Sequence, residues 1–140
     1  MGHLKLLQDH LTTLDLDFGT FKLYRNLVIG EVHEGVVINA DHALELISFS
    51  ISHYPSMASV VYLSHRRNSY SVDPTMYLET GRAFPALAGY GIIYHNELNR
   101  KVALLEQKFL PYPSKLFTSL GEAIEWAGTC VSKTPGIPQP

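Results

Sequence analysis

The sequence holds a single cysteine, Cys130, among its 140 residues, so no intrachain disulfide can form and the chain reads as cytoplasmic. It has little charge of either sign. Its 11 Lys and Arg stand against 13 Asp and Glu, a formal net charge of -2, where a protein that follows a nucleic-acid backbone would carry a basic excess. No apolar run is long enough to span a bilayer. The leucines of MGHLKLLQDHLTTL are broken by Lys5, Gln8, Asp9 and His10, which a signal peptide would not tolerate. Several motifs are missing too. There is no G-x-S-x-G elbow, Walker loop or G-x-G-x-x-G, and no histidine spacing typical of a zinc site, so no cofactor and no metal are expected and the reading leans away from an enzyme.

What is present is material for one globular domain. At 46% hydrophobic and 17% charged, the chain is too apolar for disorder and suits one core. Residues 1–13 read as an N-terminal arm, 14–131 as a single α/β domain, and 132–140 (SKTPGIPQP) as a flexible tail. In LDLDFGTFKLYRNLVIGEVHEG, apolar residues alternate through Leu14, Leu16 and Phe18 and again at Phe21 and Leu23. Arg25-Asn26 is the turn before LVIGEV, so a hairpin is expected with strands to about Tyr24 and from Leu27 to His33.

Asn39 caps a helix whose apolar positions 40, 43, 44, 47, 51 and 54 make one face, ended by Tyr54-Pro55. ASVVYLSH and AGYGIIYH read as buried strands, and the glycines of GYG as places of close packing. Asp73-Pro74 opens a short helix that stops at Gly81. A further helix starts at Asn96 with Leu98, Val102, Leu105 and Phe109 inward. KLFTS is an edge-like strand, and Ser119 with Glu122 forms a capping box before GEAIEWAGTCV, where Cys130 faces inward beside Ala123 and Ala127. The order β-β-α-β-α-β-α-β-α gives an α/β sheet, mixed because of the first hairpin.

Three segments together resemble the STAS family, and within it the small stand-alone SpoIIAA-like proteins of bacteria. They are FGTFKLYRNLVIGEVHEG, VVYLSHRRNSYSVDPTMY and the closing LFTSLGEAIEWA. The resemblance implies a mixed sheet of about five strands with helices packed mainly on one face. It also implies a regulatory, protein-binding module of the anti-sigma-antagonist kind, with a partner kinase or anti-sigma-like factor. In such proteins a phosphorylated serine or threonine lies where a central strand passes through a loop into a helix. Here that junction carries Ser69 and Ser71. The stretch Asn68-Ser69-Tyr70-Ser71-Val72-Asp73-Pro74 departs from the family's Asp-Ser-Ser-Gly pattern by lacking the glycine and the adjacent hydroxyl pair.

The residues themselves point to the same loop. Arg66 and Arg67 bring positive charge, Asn68, Ser69, Ser71 and Thr75 bring hydrogen-bonding groups, and Asp73 marks a helix N-terminus where N–H groups attract an anion. Arginines, Asn and Ser at a strand end are also ordinary solvated turn residues, and Asp73 fills its own cap. A second candidate is a rim of strand-end side chains, His33, His65 and His95 with Tyr70, where parallel strands bring their carboxyl ends together. His65 and His95 with Glu97 would suit acid–base work or a metal, against the plainer role of half-exposed structural histidines. Tyr62, Tyr70, Tyr77, Tyr90 and Tyr94 would line a pocket, though strands favour tyrosine in any case. The preferred reading is a non-catalytic regulatory module working through residues 66–75. The alternative is a domain for a small ligand (lipid, nucleotide or anion), or an uncharacterised enzyme, using the His/Tyr rim. A homodimer formed through an edge strand or an apolar helix face fits either.

Overall fold

The computed structural model describes residues 6–73, Met76 and residues 86–133. Among them eight strands follow one another: β1 (His10–Leu16), β2 (Gly19–Tyr24), β3 (Leu27–Val32), β4 (Val37–Ile38), β5 (Val61–His65), β6 (Ser71–Val72), β7 (Gly89–Ile93) and β8 (Ser114–Phe117). The helices with described bounds are α1 (Ala40–Ile51), α2 (Glu97–Gln107) and α3 (Leu120–Lys133). Six strands make one mixed sheet in the order β1-β2-β3-β5-β7-β8, antiparallel from β1 to β3 and parallel from β3 onward. Parallel neighbours need a crossover, and α1 and α2 lie on two of them, between β3 and β5 and between β7 and β8. β4 and β6 form a separate parallel pair. The α/β mixed sheet expected from the sequence is thus present. Of the helix expected after Asp73, only Met76 is described, and it is helical and buried.

The expected hairpin is present, with Tyr24 paired to Leu27 across Arg25 and Asn26, but the strand before that turn differs from expectation. The chain turns at Asp17 and Phe18, pairing Leu16 with Gly19, so the stretch read as one strand is two, and β1 begins at His10. The apolar alternation changes parity here, from Leu14 and Leu16 to Phe21 and Leu23. A two-residue turn does this because Leu14 lies opposite Phe21 on one face. Gly19 permits the tight entry: a Cβ there would sit 2.6 Å from the carbonyl oxygen of Glu31.

Period-two alternation gives the sheet two different faces. On one, Leu27, Ile29, Val61, Leu63, Ile93 and Phe117 meet Ala123, Ile124 and Ala127 of α3, with Cys130 partly buried at the margin as expected. The helix comes close because β7 presents Gly89 and Gly91. A Cβ on Gly89 would lie 3.0 Å from the Trp126 ring, and one on Gly91 2.7 Å from Leu63 Cδ2. On the other face lie Phe21, Leu23, Val28, Val32 and Val60, covered by α1 and α2. Two of the three helices therefore share one face.

Both helices on that face are rotated from the expected orientation. α1 turns Ala43, Leu46, Ile47 and Ser50 inward and leaves Leu44 and Ile51 exposed. α2 buries Asn99, Ala103 and Glu106, while Leu98 is 67% and Leu105 50% exposed. Counting apolar residues as inward fails in α2 because Glu106 has an ionic partner inside. The caps agree with the sequence. Asn39 and His42 complete a capping box on α1, Asn96 Oδ1 accepts from the Asn99 N–H at 2.8 Å, and Ser119 Oγ accepts from the Glu122 N–H at 3.3 Å.

Candidate functional site

In β5 the alternation sends Val61 and Leu63 toward α3 and Tyr62 and Ser64 toward α1 and α2. Arg66, one residue past the strand, continues this second parity and enters the interior, where it is 2% exposed. A buried guanidinium needs a counter-charge and filled donors. Glu106 of α2, 1% exposed, supplies the carboxylate: Arg66 Nη2 donates to Glu106 Oε1. Arg66 Nε donates to Ser64 Oγ at 3.0 Å, Ser64 Oγ and Tyr70 Oη share a hydrogen bond of 2.9 Å, and Tyr90 Oη donates to Glu106 Oε2 at 3.3 Å. The guanidinium carbon also lies 5.3 Å from the centre of the Tyr70 ring. Burial works against the arginine's charge, but the neighbouring Glu106 outweighs it and holds Arg66 above its ordinary value, firmly protonated.

This network lines part of a cavity of about 110 Å³. The rest of its lining is mostly apolar, with Phe21, Val28, Leu46, Ile47, Met57 and Val60 among it, and also includes His42 and Ser50. Tyrosines line the junction of the two regions. Tyr62 and Tyr90 lie 5.1 Å apart between ring centres, and Tyr90 stacks on Tyr112 at 6.4 Å with the rings nearly parallel. Gly30 makes the space for Tyr62, since a Cβ there would lie 2.2 Å from its hydroxyl oxygen and 2.8 Å from the Phe21 ring. Burial raises the phenols of Tyr62 and Tyr70 above their usual range and pushes Tyr112 up to about 12. All three are neutral hydrogen-bonding groups at physiological pH.

The loop expected as one exposed surface is divided in two. Arg66 and Tyr70 point inward. Arg67 is exposed and sits 3.6 Å from Glu31, a surface pair of small energetic worth. Asn68 Nδ2 donates to the Val32 carbonyl at 2.9 Å, and the Ser69 N–H donates to Glu34 Oε1 at 2.9 Å. The Ser71 N–H donates to Val36 O and the Asp73 N–H to Ile38 O, both at 3.0 Å, so β6 zips the loop onto the segment leaving β3. Ser69, Ser71 and Asp73 are exposed, and Thr75 lies outside the described residues.

The rim is also divided. His65 and His95 meet as expected, Nε2 to Nε2 at 3.0 Å. Glu97 pairs with Arg100 at 3.0 Å instead of joining them, and His33 Nδ1 lies 3.2 Å from the Asp17 carbonyl oxygen, bonded within its own hairpin. Burial lowers His65 below the ordinary imidazole value, with His95 and Arg67 adding to the effect and Glu31 opposing it. Among the described residues, no group of three or more His, Cys, Asp or Glu converges to hold a metal.

Sequence reasoning did not select Ser64 or Glu106. Ser64 stands in a run of apolar strand residues, and its parity with Tyr62 and Arg66 was the available signal. Glu106 carried none, because nothing local marks one helical glutamate as the partner of an arginine 40 residues earlier. Of the five tyrosines expected to line a pocket, Tyr62, Tyr70 and Tyr90 do, Tyr94 does not, and Tyr77 lies outside the described residues.

A mixed sheet with helices on its parallel crossovers and a hairpin at its start is a SpoIIAA-like fold. The chain is similar over 84% of its length to 99% of the crystal structure of an uncharacterised DUF3478-family protein with that fold from Shewanella loihica PV-4, with a TM-score of 0.52 and 13% identity. At that identity the likeness establishes the fold alone. No protein-family model and no curated protein matches the chain. Among the described residues, no helix is long and apolar enough to cross a membrane.

Proposed function

We propose that this chain is a non-catalytic binding module, that its interior cavity takes a small, mainly apolar molecule, and that the loop over residues 66–73 presents the result to a protein partner. The carrying observation is the cavity, whose lining is mostly apolar and includes the satisfied polar network of Arg66, Glu106, Ser64, Tyr70 and Tyr90. Small-molecule sites are commonly of this kind, apolar with a few convergent polar groups. The loop is connected to it covalently. Arg66 and Tyr70 are built into the cavity wall, and the residues between them include exposed Arg67 and Ser69. A ligand that shifts Tyr70 against Ser64 therefore moves a surface loop.

The test is native mass spectrometry of the protein from its own cells, with gentle and harsh desolvation compared. A non-covalent adduct lost on harsh desolvation supports the reading. Ligand-free protein that also shows no thermal shift with any small apolar compound sinks it. A phospho-regulated surface is the second reading, favoured by the exposure of Ser69 and Ser71 in a SpoIIAA-like fold. Peptide mapping across residues 66–73 decides it: a phosphate on either serine supports a kinase partner, and unmodified peptide under all growth conditions removes one.

A further inference from the structure

On the reading that the cavity binds a small molecule, we propose that its ligand is a neutral, single-ring aromatic compound carrying one hydrogen-bonding group, and that the Tyr62 hydroxyl is the residue that selects it. Three observations lead there. The first is size. A dry apolar cavity of roughly 150 Å³ takes a benzene molecule. This one, of about 110 Å³, has Met57 and Met76 in its walls, side chains that yield by changing rotamer, so its volume suits a single ring.

The second is charge. Arg66 and Glu106 are both buried and neutralise each other directly. A carboxylate or ammonium entering beside them would be a third buried charge with no counter-ion, and such a charge is costly to desolvate. The buried arginine is thus no anion receptor, although sequence reasoning offers it as one. The third is hydrogen bonding. Ser64, Tyr70, Tyr90 and Glu106 satisfy one another, but among the described residues no hydrogen bond engages Tyr62 Oη. Tyr62 lines the cavity together with His42, which accepts from the Asn39 N–H, and Ser50 of α1; its hydroxyl stays protonated and can donate one hydrogen bond to a hydroxyl, carbonyl or amide oxygen. Phe18, Phe21, Tyr90 and Tyr112 around it supply flat faces and edges for a ring.

Four probes of matched shape test this: phenol, toluene, benzoate and benzylammonium, each titrated at neutral pH by ligand-observed NMR and thermal shift. Phenol is expected to bind roughly two- to tenfold more tightly than toluene, the range one net hydrogen bond gives. Benzoate and benzylammonium are expected not to bind. Tyr62→Phe, with its melting temperature checked against the parent, should reduce phenol to the level of toluene and leave toluene unchanged. Tighter binding of benzoate or benzylammonium overturns neutrality, and phenol binding that survives Tyr62→Phe overturns the role of Tyr62, each with the cavity reading intact. Failure of all four probes overturns this inference, while the cavity reading beneath it is decided separately by the native mass spectrometry.

Discussion

The two faces of the one sheet are built from the same strands to opposite ends. Toward α3, glycine at 89 and 91 and alanine at 123 and 127 bring helix and sheet into direct contact, and the side chains between them are apolar. Toward α1 and α2, the same strands offer Tyr62, Ser64 and Tyr90, the loop adds Arg66, and a cavity remains. A tightly packed apolar interface maximises dispersion and burial, each large aliphatic side chain contributing about 1.5–3 kcal/mol. A cavity with a buried ion pair gives up part of that. Proteins accept such departures from close packing mostly where function requires them. On this contrast rests the proposal that the α1/α2 face is the working one, although its Phe21, Leu23 and Val60 are buried core residues too.

The largest effect that separates them is expected from the ion pair. Glu106→Leu leaves the Arg66 guanidinium buried without its carboxylate and should cost about 3–5 kcal/mol. Arg66→Met with Glu106→Leu removes both charges, and such replacements are often neutral or stabilising. Urea denaturation of parent, single and double variants measures this. If the pair is retained for the site and not for stability, the double variant recovers most of the loss yet binds ligand poorly. A double variant as unstable as the single one would mean that the pair holds the fold together.

Adding two methyl groups to an alanine on each face should give different results. Ala123→Val enters a fully buried contact with the sheet, where overpacking typically costs about 1–3 kcal/mol. Ala43→Val points the same volume into the cavity and should change stability by less than about 0.5 kcal/mol while weakening any ligand severalfold. Gly91→Ala belongs with the first of these, since its Cβ would meet Leu63 at 2.7 Å and Trp126 at 3.3 Å. Equal destabilisation by Ala123→Val and Ala43→Val in denaturant titrations would erase the distinction between the faces.

These comparisons also explain how much was legible in the sequence. The α3 face was readable because it follows simple rules: alternating apolar strands, GYG where backbones approach, and small residues on an amphipathic helix. The parity change across Gly19 was legible as well, although the alternation was read as one strand. The working face was harder because it breaks those rules. α2 buries Asn99 and Glu106 and exposes Leu98 and Leu105, so an apolar count selects the wrong side. The chemical density of the segment from Arg66 to Thr75 is plain in its residues. Its division was not legible, because whether Arg66 faces water or the interior depends on a carboxylate supplied by a helix 40 residues later. Local sequence carries composition and period, and it does not carry long-range pairing.

The smallest expected effect concerns titration. On the working face the phenols are raised by burial and Arg66 is held protonated, so none of them changes charge between about pH 5 and 8. At the rim His65 does, because burial moves its folded value below the ordinary imidazole value of 6.5. As pH falls below about 6.5, the unfolded chain takes up this proton before the folded one. The contribution of neutral His65 is therefore complete above about pH 6.5 and is lost as pH falls through its folded value. The histidine is partly exposed, so the loss is modest and shows as a slope, not a transition. Thermal melts from pH 8 to pH 5 should fall more steeply for the parent than for His65→Asn, and the His65 ring proton should titrate below a free imidazole in NMR. Phenol affinity over the same range should follow the same course in both proteins. Parallel melting curves would remove His65 as the source of the slope. A phenol affinity whose course with pH differs between the parent and His65→Asn would mean that the rim and the cavity are coupled through β5, whose last residue is His65 and which Arg66 follows.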